Sequence, residues 1–186
     1  MRIAVFCGSS NGNDPRFVEA TKELGKYLAE QGVEVVYGGG NVGLMGTIAD
    51  AVLAHGGRVY GAIPEYLKNK EIAHPNLTEL YIVKDMHERK AKMAELADAF
   101  VALPGGVGTL EEIFEVWTWA QLGHHNKPCA FYNVMGFYDP LFSMVEQMRD
   151  AGFIRPQYVD MLIKTDQADV LLEHMRNYKA PDRKWR

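Results

Sequence analysis

Short apolar runs recur along the chain, and a stretch with apolar positions at helical spacing follows most of them. The runs are residues 2–7, 34–37, 58–63, 80–83, 99–103, 127–132 and 161–163. They read as strands, and buried ones where the apolar run is unbroken. A first helix starts at Asp14 and Pro15, a capping residue and a first-turn proline. It carries Phe17, Leu24, Tyr27 and Leu28 on one face and closes at Gly32. An alanine-rich helix to about His55 stops at Gly56-Gly57. Further helices cover 86–97, the segment around 113–120, the segment from Asp139-Pro140 to near Gly152, and 168–178. Residues 64–78, with Pro64, Asn69, Pro75 and Asn76, are the least regular part. They read as a long functional loop with one helical turn, since long loops in compact domains are usually lids or binding loops.

Strands alternating with helices across short joins predict right-handed βαβ units. The fold class is therefore α/β, with a mostly parallel sheet of about seven strands and helices on both faces. Ligands in such sheets bind at the carboxyl edge, at the point where strand order reverses. Three glycine-rich turns fall on that edge, at residues 8–13, 38–46 and 104–109.

Composition narrows this picture. The 186 residues suit one domain over 1–178 with a basic tail, 179–186, expected to fray. A hydrophobic content of 47% is enough to bury a sheet on both faces, and a net charge of −4 argues against a nucleic-acid polymer as partner. Cys7 and Cys129 lie in apolar runs and read as small buried hydrophobes in a reducing compartment. No apolar run approaches 18 residues and the chain opens directly on a strand. A soluble, cytoplasmic protein without membrane contact is expected.

The chemistry concentrates in Pro104-Gly105-Gly106-Val107-Gly108-Thr109-Leu110-Glu111-Glu112. A glycine-rich turn between a strand and a helix points amide N–H groups and the positive helix end at one spot, which is an anion site. Thr109 and Glu112 also fit a capping box, with Thr109 as the helix cap. Gly38, Gly40 and Gly43, with Glu65 beyond, fit a dinucleotide fingerprint, although it lies on the second turn rather than the first. Close packing of the turn is the plainer reading. No Walker lysine follows either turn. Met86, Met93 and Leu96 form an apolar stripe that Arg89 interrupts, with Lys90 beside it. Arg89 either snorkels or meets an anion at the sheet edge. His87 has no second histidine at metal spacing, and His124-His125 reads as a solvated turn, so no metal site is expected. Ser9, Gly39, Gly43 and Met86 are secondary site candidates.

Met86-His87-Glu88-Arg89-Lys90 followed by the 104–112 segment resembles the paired signature of the LONELY GUY (LOG) family. The similarity extends to Phe6–Ser10, Tyr37–Gly40, Gly43–Gly46 and Trp119–Gly123. The resemblance implies a Rossmann-like three-layer sandwich, a homodimer with its active site near the subunit interface, and no cofactor. It implies hydrolysis of the N-glycosidic bond of nucleoside 5′-monophosphates, AMP or N6-modified cytokinin riboside 5′-monophosphates, to free base and ribose 5-phosphate. By motif, Arg89 and Glu112 become the catalytic pair. Glu71, Lys90, Gly105, Gly106, Val107, Gly108, Thr109, Leu110, Glu111 and Thr118 become substrate contacts. A non-catalytic nucleotide-binding protein is the alternative. Family members also long carried a lysine decarboxylase label, but no lysine stands out for a pyridoxal Schiff base.

Overall fold

The computed structural model describes residues 1–70 and 72–185. Seven strands, β1 (Arg2–Phe6), β2 (Glu34–Tyr37), β3 (Val59–Pro64), β4 (Glu79–Val83), β5 (Ala99–Ala102), β6 (Cys129–Tyr132) and β7 (Ile163–Thr165), form one sheet in the order β4-β3-β2-β1-β5-β6-β7. Every neighbouring pair is parallel. The helices are α1 (Pro15–Glu30), α2 (Gly43–Ala54), α3 (Glu65–Lys68), α4 (Met86–Leu96), α5 (Val107–Leu122), α6 (Asp139–Asp150), α7 (Pro156–Asp160) and α8 (Ala168–Arg176).

Residues alternate across the strands between two cores. Ile3, Val5, Val35 and Val101 meet α1, α2 and α8 through Leu24, Ile48, Val52 and Leu171. Ala4, Phe6, Val36, Phe100 and Phe131 meet the opposite layer through Met93, Ile113, Trp117, Val145 and Val159. The central strands are thus buried on both faces, which explains their unbroken apolar runs. Burying each large apolar side chain contributes about 1.5–3 kcal/mol.

Helix starts follow their local signals. Asp14 caps α1 by accepting from the Arg16 N–H at 2.9 Å, with Pro15 in the first turn. Three expectations need correction. The last strand is Ile163–Thr165, not 161–163, because Met161 and Leu162 pack under α7 as core residues. Pro156 opens that short helix, a start signal the apolar pattern hides. The tail does not fray over 179–185. The Lys184 N–H donates to the Gln121 carbonyl at 3.0 Å, and the Tyr158 hydroxyl donates to the Asp182 carbonyl at 3.0 Å. His125 is not solvated either. Its Nε2 bonds the Val116 carbonyl at 2.8 Å, and its ring lies 5.3 Å from that of Phe100.

The chain walks outward from β1 to β4, then crosses to β5 on the other side of β1. The switch point therefore lies between β1 and β5. Their ends are laced together there: Leu103 N–H donates to the Phe6 carbonyl at 2.9 Å and Gly8 N–H to the Pro104 carbonyl at 3.1 Å.

Candidate active site

The turn after β5 delivers the N-terminus of α5 to this switch point. Gly106 is the N-cap and no side chain caps the helix. The first intrahelical bond runs from Leu110 N–H to the Gly106 carbonyl at 3.2 Å. The amides of Val107, Gly108 and Thr109 therefore have no partner within the helix. Thr109 is thus not the helix cap, which corrects the capping-box reading. The helix begins nearly a turn earlier because Gly106 is extended at φ −99°, ψ −153° and serves as the N-cap itself. Glu111 and Glu112 consequently fall in the second turn, and no acidic residue sits in the first. That leaves the positive helix end to an external anion.

The glycines of this turn divide by what surrounds them. A Cβ on Gly106 or Gly108 would meet nothing within 4 Å. A Cβ on Gly105 would lie 2.1 Å from Thr109 Oγ1, so Gly105 makes room for a buried threonine.

Arg89 arrives from α4, whose cap Asp85 accepts the Glu88 N–H at 2.9 Å. Its side chain is buried at 5% exposure, which excludes snorkelling. Nε donates to the Ala62 carbonyl at 3.0 Å and Nη2 to the Gly38 carbonyl at 2.6 Å. Two of its N–H donors are thus spent on the carbonyl ends of β3 and β2, which fixes the guanidinium plane.

A cavity of about 320 Å³ joins these parts. Arg89, Glu112, Gly106, Val107, Gly108 and Thr109 line it, with Ser9, Cys7, Gly38, Met45 and Met86. Cys7 packs against the core as a partly buried hydrophobe and also lines the cavity, without a disulfide. Burial, and then the Glu112 carboxylate, hold the Cys7 thiol above its ordinary value, so it stays neutral. Among the described residues no cluster of histidine, cysteine and carboxylate ligands is placed to hold a metal.

Other implied contacts lie elsewhere. Gly105 borders a second cavity of about 350 Å³, on the α1 side of the Gly8–Gly106 wall. Lys90 bonds Glu111 at 2.6 Å and Glu115 at 2.8 Å between α4 and α5. Burial alone would lower the Lys90 ammonium, but those two carboxylates outweigh it and raise it above its ordinary value. Thr118 is exposed and its hydroxyl donates to the Phe114 carbonyl at 2.7 Å. Leu110, Glu111, Gly39 and Gly43 do not line the cavity. His87 is exposed, and Glu71 lies outside the described residues. Cys7, Gly38 and Met45 were missed as cavity wall. The glycine fingerprint drew attention to Gly38, but as a ligand contact rather than an arginine holder.

An amide cradle sharing one cavity with an arginine and a carboxylate, at the switch point of a parallel sheet, defines an α/β protein of Rossmann type. Solved structures share the fold. The molybdenum cofactor carrier protein of Chlamydomonas reinhardtii superposes with a TM-score of 0.70 at 17% identity over 94% of each chain. Residues 45–175 match the family described as "Possible lysine decarboxylase". The chain is 49% identical to cytokinin riboside 5′-monophosphate phosphoribohydrolase LOG7 of Arabidopsis thaliana, over 96% of this chain and 82% of the relative. It is 52% identical to the cytokinin riboside 5′-monophosphate phosphoribohydrolase of Rhodococcoides fascians, over 83% of this chain and 78% of the relative. The chain belongs to the LOG family.

Proposed function

We propose that this protein hydrolyses the N-glycosidic bond of nucleoside 5′-monophosphates, AMP or N6-modified cytokinin riboside 5′-monophosphates, releasing the base and ribose 5-phosphate. The observation that carries this reading is the convergence of Arg89, Glu112 and the open first turn of α5 on one cavity. The 5′-phosphate rests on the amides of Val107, Gly108 and Thr109. Ribose then reaches Glu112, in the next turn of the same helix. As the C1′–N bond breaks, its electron pair leaves with the base and positive charge builds on the sugar. Glu112 stabilises that charge and takes a proton from the water that attacks C1′, while the departing base nitrogen takes up a proton from solvent, so that neutral base and ribose 5-phosphate are released. Arg89, held rigid by two carbonyls, contributes fixed positive charge to the phosphate or the departing base. The names of the relatives in Arabidopsis and Rhodococcoides support the substrate class.

The decarboxylase description fits less well. A pyridoxal enzyme needs a lysine for its Schiff base, and no lysine is among the residues lining the cavity. Lys90 is tied to Glu111 and Glu115 in its charged form.

The same reading includes a homodimer. Glu111 and Thr118 are exposed seven residues apart on α5, outside the cavity, where a second copy would bring them to its partner's site, with Lys90 tied beneath Glu111. Val107, at the lip, is 85% exposed, as an apolar residue at such an interface would be in a single copy. Two free cysteines suit a reducing cytoplasm. No described helix is long and apolar enough to cross a membrane.

Incubation with AMP should yield free adenine, and Glu112→Gln should reduce turnover by roughly 10²–10⁴-fold with the fold intact. Undiminished turnover by that variant would remove Glu112 from the chemistry. Wild-type protein that binds AMP without cleaving it would favour the non-catalytic alternative.

A further inference from the structure

The segment after α3 does more than connect strands. Residues 72–74 lie antiparallel across the turn that follows β2, with a bridge between Gly40 and Ala73. Asn41 N–H donates to the Ile72 carbonyl at 2.8 Å, and His74 N–H donates to the Gly39 carbonyl at 2.9 Å. Beneath that strap the Tyr37 hydroxyl donates to the Gly40 carbonyl at 2.7 Å. The strapped turn is the one whose Gly38 carbonyl holds Arg89. Ile72 sits at φ +49°, a left-handed conformation that a β-branched residue adopts only when its surroundings impose it.

One buried polar side chain pins the strap. His74 is 5% exposed. Its Nδ1 accepts the Asn76 N–H at 3.1 Å, so the proton is on Nε2, which donates to Asp50 Oδ1 on α2 at 2.7 Å. Both ring nitrogens are thus satisfied, one by the strap's own backbone and one by a separate helix.

We propose that His74 is a positioning residue: locked to Asp50, it clamps the 72–76 strap over the 38–41 turn and so fixes the carbonyl that holds the Arg89 guanidinium. The effect on turnover rests on the hydrolase reading; the effect on Arg89 does not. Asp50 offers a clean lever, because its side chain is 68% exposed and its loss leaves the core untouched.

The full-length protein is therefore compared with His74→Ala, Asp50→Ala and Asp50→Asn by NMR, following exchange of the Arg89 Nε–H, which leaves the Ala62 carbonyl when a loosened Gly38 carbonyl lets the guanidinium swing, with AMP hydrolysis and melting temperature measured alongside. Asp50→Asn keeps an oxygen that can accept from the imidazole. Arg89 Nε–H exchange should accelerate at least tenfold in Asp50→Ala and more in His74→Ala, and return to near the wild-type rate in Asp50→Asn. Turnover should fall about tenfold in Asp50→Ala, the scale of a sub-ångström misplacement, and recover in Asp50→Asn, with its melting temperature unmoved. Unchanged Nε–H exchange in both alanine variants would overturn the proposal. So would turnover of an active wild type that survives them, or turnover loss that Asp50→Asn does not restore. If the wild type cleaves no nucleotide, the hydrolase reading falls and the Nε–H exchange alone decides the role of His74.

Discussion

The turns after β2 and after β5 look alike in sequence, with four glycines in 38–43 and three in 105–108, yet they use glycine for opposite ends. After β2 the missing side chains make room for protein. A Cβ on Gly38 would lie 2.3 Å from Arg89 Nη2, and one on Gly43 would lie 2.3 Å from the Ser10 nitrogen. Gly39 and Gly43 also need positive φ, at +78° and +57°. After β5, Gly106 and Gly108 face open space, and neither needs positive φ. One turn is a bracket for an arginine; the other, beyond Gly105 and its threonine, is a cradle whose Gly106 and Gly108 face no protein atom. A glycine-rich turn is evidence of a ligand only when its space is empty.

The hardest test of that contrast is Gly38→Ala. The methyl group must displace the guanidinium, and a shift near 1 Å costs on the order of 10²-fold in turnover. The cradle amides are untouched, so inorganic phosphate should still bind, and any weakening reports how much of the Arg89 charge falls on the phosphate rather than on the base. Activity assays beside phosphate titration check both. Near-normal turnover would show that Arg89 tolerates displacement and that the bracket is only packing.

Gly108→Ala should do the reverse. Its methyl group meets no protein atom, and alanine is favoured over glycine within a helix by about 0.5–1 kcal/mol. The melting temperature should rise by roughly 2–4 °C per kcal/mol gained. KM for AMP should rise several-fold, because the methyl group intrudes on the phosphate. Thermal melts and steady-state kinetics on one preparation decide it. A stabilised protein with unchanged KM would move the phosphate away from this turn.

The same contrast explains how much was legible beforehand. Strands β1, β2, β3, β5 and β6 were readable because burial on both faces writes itself as unbroken apolar runs, and β4, a half-buried edge strand, was readable from its apolar residues alone. Arg89 was readable as a conflict, a charge on the stripe of Met86 and Met93, and its 5% exposure bears that out. The capping box misled because Thr-x-x-Glu fits any register of a helix start. What sets the register is Gly106 after a strand end laced to Phe6 and Gly8, a tertiary fact. The resemblance implied Lys90 as a substrate contact, but its pairing was not legible, because its acceptors, Glu111 and Glu115, lie on another helix whose packing no local pattern reveals. His74 was invisible for the same reason. Its partner Asp50 is 24 residues away, and the loop around it carries no periodicity.

The two ends of α5 extend the comparison to the smallest effect. The N-terminus is open, whereas the C-terminus is closed by Gly123 at φ +79° and by His125 on the Val116 carbonyl. Nδ1 of His125 accepts the Lys127 N–H at 3.0 Å, so a second ring proton has no place to bond. Burial first, then the charges of Lys127 and His124, hold the His125 imidazolium below its ordinary value, despite the bond to Val116 that favours it. The unfolded chain therefore binds this proton more readily than the folded one. The stabilisation from His125 is complete above the unfolded value of about 6.5 and is lost as pH falls through it towards the lower folded value. Melting temperatures measured from pH 8 to pH 5 should decline, and His125→Gln, which can still donate to Val116, should flatten part of that decline. Phosphate affinity of the folded protein, compared between wild type and His125→Gln at each pH, should not differ, because the closed end of the helix does not touch the cradle. If the variant shifts phosphate affinity instead, the two ends of α5 are coupled and the open cradle is less independent of its scaffold than its geometry indicates.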